Sequence, residues 1–314
     1  MPAPSTQASL HLHPNLGQTQ HPLKGRALVA ANGPIRAGEL VMADVPYAVL
    51  PTVTADDTIC SNPGCSRRIP GYASSMTCEH NCSPAVRWCS PTCKHQDRRR
   101  HGFECGWLKH NSPELRQVSD HDYHMLWIVV RMLAARSLEL EQEMGENELP
   151  NDVFASGWPG VQLLRSNRQA WPTAQVQHWR ELARNYLQGD DCGLPVTLDL
   201  ESLVELICAE ETNVFELCPG PTEMNRGEPY GLAVFLRVTI ANHSCVPNVS
   251  HQADGQGRMI VTALRDLAKG EECCTSYFDL AESVDVQARR EKTEGLFTFT
   301  CTCSRCLAET ATVA

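Results

Sequence analysis

Hydrophobic positions change their spacing along the 314-residue chain. From Arg26 to Val53, short apolar runs alternate with turn signals at Gly33-Pro34 and Ala37-Gly38, a pattern that predicts short strands joined by tight turns. Cys60 to Cys105 is loop-like as far as Cys93, after which KHQDRRRHGFEC predicts a short helix carrying ligands. Between Glu114 and Glu211 the apolar residues recur at helical spacing: HDYHMLWIVVRMLAARSLELEQEM is the strongest helix signal in the chain, and TAQVQHWRELARNYL is a second. From Val214 to Tyr277 the runs GLAVFLRVTI, RMIVTAL and ECCTSYF return to strand character. Strands therefore flank a helical insertion, which gives an α+β class without internal repeats. Met1 to Leu23, rich in Pro, Gln, His and Ser, predicts a disordered start.

A chain of this length can bury a sizeable core. The net charge of −10 argues against a broad nucleic-acid footprint and favours a basic partner such as a lysine-rich peptide. The one basic run, Arg98 to His101, reads as a solvated helix face. No apolar run in Met1 to Leu23 has signal-peptide length, and no later segment approaches the roughly 20 apolar residues of a membrane span. These features point to an intracellular, reducing location, where the sixteen bunched cysteines read as metal thiolates rather than disulfides.

The spacing supports that reading. Cys60-x4-Cys65, Cys78-x3-Cys82, Cys89-x3-Cys93 and His101-x3-Cys105 supply eight ligands, enough for two tetrahedral zinc ions. Four pairs in a row fit an interleaved arrangement, with the first and third pairs on one ion and the second and fourth on the other. His80 and His95 lie nearby, but His101 has the helical spacing to Cys105. Structural zinc supplies on the order of 10 kcal/mol to a segment with little apolar core. A second cluster, Cys301, Cys303 and Cys306, is one thiolate short of a closed site, and Cys245 in NHSCVPN is the candidate fourth. Cys192, Cys208, Cys218, Cys273 and Cys274 read as small core residues.

NHSCVPN (Asn242 to Asn248), GEECCTSY (Gly270 to Tyr277) and FTCTC (Phe299 to Cys303), in that order, resemble the SET domain of protein lysine methyltransferases. The cysteine pairs, with Trp88 before Cys89, resemble a MYND finger whose first two pairs are wider than usual. Together, Lys24 through Cys306 resemble the SET- and MYND-domain methyltransferase family. The resemblance implies a SET β-fold of short strands with a pseudoknot, divided into residues 24–59 and 212–280. A MYND-type zinc finger at 60–105, a helical insertion at 106–211 and a cysteine-rich post-SET segment at 281–314 complete the implied organisation.

The resemblance also implies S-adenosylmethionine and three zinc ions. Asn242 and His243 would hold the cofactor, Pro247 and Asn248 would fix the chain crossing, Phe299 with Phe297 would pack on the adenine, and Asn213 would touch the cofactor. Lys24 and Arg26 belong to the N-terminal cofactor run, and Tyr277, the implied catalytic residue, would present its hydroxyl at the methyl-transfer pore. The implied partner is a lysine-bearing protein or peptide, with proline-rich peptides at the finger, no direct nucleic acid, no membrane, a monomeric state and residence in nucleus or cytoplasm.

Two departures carry consequences. Ala27 stands where the family has the second glycine of Gly-x-Gly-Leu, and its methyl is expected to crowd the cofactor or demand a different backbone angle. The chain ends eight residues after Cys306, which predicts a more open substrate cleft without the relatives' C-terminal helical domain. A different class of function, a SET/MYND adaptor without catalysis that docks proline-rich partners, is weakly favoured by Ala27 and opposed by Asn242, His243, Tyr277 and Phe299.

Overall fold

A computed structural model describes residues 9–52, 57–71, 73–143, 154–188, 194, 198–219 and 228–313. Its first unit holds β1 (His11–Leu12), β2 (Gly17–His21), β3 (Gly25–Val29), β4 (Leu40–Asp44) and β5 (Pro46–Pro51). The disorder expected up to Leu23 is corrected for residues 9–23. β2 pairs with β3 as an antiparallel hairpin, and His21 Nδ1 accepts the N–H groups of Leu23 and Lys24 in the turn. Polar composition misled because most of β2 lies near the surface and is held by backbone bonds, not by an apolar face.

Two small hairpins form the cysteine-rich segment: β6 (Asp57–Ile59) with β7 (Arg68–Pro70), and β8 (Met76–Thr77) with β9 (Arg87–Trp88). The helix predicted after Cys93 is much longer than expected. α1 runs Pro91–Val118, through Gly102, Gly106 and Pro113, so the expected boundary at 105/106 falls inside one continuous element. Ser90 caps it by accepting the Cys93 N–H, Pro91 occupies the first turn, and burial of Asp97, Arg100, His101, Glu104 and Trp107 on one face outweighs the two glycines. The basic run is thereby corrected: Arg98 and Arg99 face solvent, but Arg100 and His101 are buried.

The helical layer continues with α2 (Asp120–Glu143), α3 (Gly157–Gln162), α4 (Thr173–Tyr186) and α5 (Leu200–Asn213). Trp107, Trp127, Trp179 and the apolar stripes of α2 and α5 form its core, which also reaches Ala48 and Leu50 of β5. The strands that follow are β10 (Val214–Leu217), β11 (Gly231–Phe235), β12 (Asn242–His243), β13 (Val249–Ala253), β14 (Met259–Ala263) and β15 (Cys274–Thr275). They interleave with the first unit, in the orders β1-β4-β14-β13 and β10-β11-β5. Segments some 200 residues apart thus share sheets around a second core of Leu28, Ile35, Val49, Phe235 and Ile240. The run GLAVFLRVTI is strand only to Phe235, and ECCTSYF only at β15. α6 (Val286–Phe297), capped by Asp285, and α7 (Ser304–Val313) close the described chain. Among the described residues no helix is long and apolar enough to cross a membrane.

Candidate active site and metal centres

Three groups of ligand atoms converge, each within 4.8 Å of one another: Cys60, Cys65, Cys89 and Cys93; Cys78, Cys82, His101 and Cys105; and Cys245, Cys301, Cys303 and Cys306. None of these cysteines is in a disulfide. Sulfur pairs stand 3.6 Å apart at Cys65–Cys89, 3.5 Å at Cys89–Cys93, 3.7 Å at Cys78–Cys105 and 3.7 Å at Cys245–Cys301. A tetrahedron with ~2.3 Å metal–sulfur bonds has edges of about 3.8 Å, so the donor sets fit a zinc-sized ion in size and chemistry. Crowded sulfurs also share protons unequally. Hydrogen bonding from Cys60 and Cys89 brings Cys65 down to about 4, and the bond with Cys245 brings Cys301 down to about 3. Such thiolates are the ligand form of cysteine. His80 and His95 lie outside these groups, both exposed. Cys208, Cys218, Cys273 and Cys274 are buried, while Cys192 is outside the described residues.

The second group is anchored to the helical layer by a buried acid that sequence reasoning missed. Glu104 accepts from His101 Nδ1 (2.9 Å), Arg100 Nη2 (2.9 Å), Trp127 Nε1 (2.7 Å) and Arg131 Nε (2.8 Å). With its proton on Nδ1, His101 turns Nε2 toward Cys78 Sγ, 3.2 Å away. Arg131 also donates to the carbonyl of Val49 in β5. The paired arginines hold Glu104 well below the ordinary carboxylate range against the cost of burial.

Beside the third group the chain crosses itself. β12 pairs in parallel with β15, Asn242 opposite Cys274 and His243 opposite Thr275. The Asn248 side chain clamps the crossing: Oδ1 accepts the Cys274 N–H at 2.7 Å, and Nδ2 donates to the Glu272 carbonyl at 2.8 Å. His243 Nδ1 accepts the Tyr277 N–H at 3.1 Å, so its proton sits on Nε2, 3.3 Å from Cys245 Sγ. The Tyr277 hydroxyl donates to the Ala241 carbonyl at 3.0 Å, and burial keeps its pKa above the ordinary phenol value. Phe297 lies 5.0 Å from the Tyr277 ring, and Phe299 lies 6.0 Å from His243, ring centre to ring centre. Thr298, at φ +62° as the cap of α6, turns the chain between them.

Lys24, Arg26 and Asn242 meet at the same place from the other side. Glu272, whose motif was read but whose role was not, pairs with Lys24 Nζ at 2.6 Å and accepts from Asn242 Nδ2 at 2.9 Å. Asn242 Nδ2 also donates to the Arg26 carbonyl at 3.0 Å, and Arg26 Nη2 donates to the Leu163 carbonyl at 2.8 Å. Asn213 is spent on backbone: its Nδ2 donates to the carbonyls of Arg165 (2.8 Å) and Ala209 (2.7 Å). Gly25, at φ +77°, holds a conformation that a side chain would strain. Ala27 lies in regular β3, opposite Thr19, with its methyl buried.

The sequence pattern of the SET domain matches residues 25–278. The chain belongs to the SET domain family. Curated relatives resemble it at 24–26% identity. A SET and MYND domain-containing protein of Dictyostelium discoideum is 25% identical over 92% of this chain and 59% of that protein. The histone-lysine N-methyltransferase ASHR1 of Arabidopsis thaliana is 24% identical over 93% of this chain and 55% of its own length. The histone-lysine N-methyltransferase SMYD3 of Homo sapiens is 26% identical over 90% and 59%. This SET chain thus spans between 55% and 59% of these relatives' lengths.

Proposed function

We propose that this SET-domain chain is an S-adenosylmethionine-dependent protein-lysine N-methyltransferase, acting on histone or non-histone lysine side chains. The observation that carries the reading is the convergence of Lys24, Arg26, Asn242, His243, Tyr277, Phe297 and Phe299 around the β12–β15 crossing, with polar groups on one side and aromatic rings on the other. The names of the relatives, histone-lysine and N-lysine methyltransferases, agree with it.

When bound, S-adenosylmethionine supplies a methyl group already activated by its sulfonium. The chain's own task is then to position two reactants and exclude water. Asn242 and His243 would hold the donor, Phe297 and Phe299 would cover its base, and Lys24 and Arg26 would face its polar end. Tyr277 stays protonated and commits its proton to Ala241, which leaves the phenolic oxygen's lone pairs to orient the methyl group and the neutral lysine amine. No residue is required to act as a strong base. Three zinc ions, one in each ligand group, would be structural, and the third group would steady His243 and hence Tyr277.

The partner is a lysine-bearing protein or peptide, in nucleus or cytoplasm, with the enzyme a monomer that makes no direct nucleic-acid contact. A cleft of about 530 Å³ opens beside the second ligand group, lined by Cys78, His101 and Cys105 of that group together with Trp88, Arg98 and Lys109, and proline-rich peptides would dock on its outer side. Isothermal titration of the zinc-loaded protein with S-adenosylmethionine tests the reading. Micromolar binding with one site supports it; no binding by folded, zinc-loaded protein overturns it in favour of the adaptor.

A further inference from the structure

Arg165 lies in the loop that follows α3, far in sequence from every motif of the candidate site. Its guanidinium nevertheless stands over Gly25. A side chain added to Gly25 would meet Arg165 Nη2 at 2.8 Å and Cζ and Nε at 3.1 Å. The loop is fixed there from three directions: Arg26 donates to the Leu163 carbonyl, Asn213 to the Arg165 carbonyl, and Thr212 and Trp171 to the Ser166 carbonyl. The guanidinium itself is exposed and donates to no acceptor among the described residues. It is also close enough to Arg26 for its charge, after burial, to lower that residue's pKa, and it acts electrostatically on Tyr277.

Two guanidiniums near enough to act on each other repel unless an anion lies between or before them. The nearest described carboxylate of the site, Glu272, is already engaged by Lys24 and Asn242. Gly25 supplies the space and Asn213 the backbone anchor for a cation with an unfilled donor set. S-adenosylmethionine has one anionic group, the carboxylate of its methionine end, beside a cationic ammonium and sulfonium. A planar fork of donors suits a carboxylate and repels the other two.

Resting on the function proposed above, we infer that Arg165 joins Arg26 in receiving the carboxylate of the methyl donor, and that Asn213 serves by positioning Arg165. Arg165 thereby sets which end of the donor faces Lys24 and Arg26 and which end faces Tyr277.

The test is calorimetry of zinc-loaded wild type, Arg165→Ala and Arg165→Lys with two ligands, S-adenosylmethionine and its decarboxylated analogue, after equal melting temperatures show that the variants fold. Arg165→Ala should weaken S-adenosylmethionine about tenfold, the worth of one charge-assisted hydrogen bond, and leave the decarboxylated analogue within about twofold. Lysine at 165, with the charge but not the fork, should restore part of the loss. Equal weakening of both ligands would assign Arg165 to the shape of the pocket, and no weakening of either would leave it without a part in binding; each result overturns the inference while leaving the cofactor reading intact. Wild type that binds neither ligand would overturn both.

Discussion

A line of two hydrogen bonds runs from the third ligand group to the proposed pore. His243 donates from Nε2 to Cys245 Sγ and accepts at Nδ1 from the Tyr277 N–H. Cys245 would therefore serve twice, as a proposed zinc ligand and as the acceptor that fixes the imidazole. Cys245→Ser should release one of three zinc ions and weaken donor binding together, measured by metal analysis and calorimetry on the same sample; an unchanged metal count would remove Cys245 from the ligand set. Tyr277→Phe removes only the hydroxyl bonded to Ala241, so turnover should fall on the order of a hundredfold, as for loss of one positioned polar group, with zinc content and donor affinity unchanged. Loss of zinc in that variant would point instead to a disturbed fold. These residues were legible because NHSCVPN concentrates polar side chains where neither a strand nor a helix asks for them. Glu104, Glu272 and Arg165 were not, because each draws its meaning from partners across the fold, such as Lys24, 248 residues before its acceptor.

Among the elements, α1 departs most from what its sequence predicts. Gly102, Gly106 and Pro113 argue for a break, yet the helix continues for 28 residues. Propensity is local, and each glycine costs only about 1 kcal/mol. The ion network of Asp97, Arg100, Glu104 and Arg131 along its buried face is not local, and single-residue patterns do not reveal it. Glu104→Gln should destabilise the protein by roughly 3–5 kcal/mol, because it leaves two buried guanidiniums undercompensated. The same variant should release zinc to a chelator sooner than wild type, since His101 loses the acceptor that orients it. Unchanged denaturation and chelation would show that the network is dispensable.

α5 makes a separate prediction. Burial, and then the charge of Glu211, raise the Glu210 pKa well above the ordinary value of 4.5. A carboxyl raised in the fold binds its proton more tightly there than in the unfolded chain. Its contribution to stability is complete below the unfolded value and is lost as pH rises through the folded one. Glu210→Gln stays neutral throughout, so its stability advantage over wild type should grow as pH rises above the ordinary carboxyl value. A difference that stays constant as pH rises above that value, followed by chemical denaturation, would show that the Glu210 pKa is not raised in the fold.

At the scale of the whole molecule, the α+β class, the helical middle and the return to strands follow from the spacing of apolar residues. The sheet order does not. β5 lies against β11 and β4 against β14 because distant segments share one core, a pairing that no run of residues announces. The first strands escaped for a related reason, since β2 is held by its backbone pairing with β3. The ligand groups, by contrast, could be read at a distance because tetrahedral chemistry demands four donors, and the sequence supplies eight in countable pairs and three more in a cluster that calls for Cys245. This architecture brings β3, the crossing at β12 and β15, and the end of α6 to one point, and the central claim is that lysine methylation happens there. Incubation of the zinc-loaded chain with methyl-labelled S-adenosylmethionine and a mixture of histones and cell proteins, with Tyr277→Phe alongside, measures this directly. The account predicts label on lysine nitrogen with wild type and little with the variant; equal labelling by both, or none by wild-type protein that binds the donor, would contradict it.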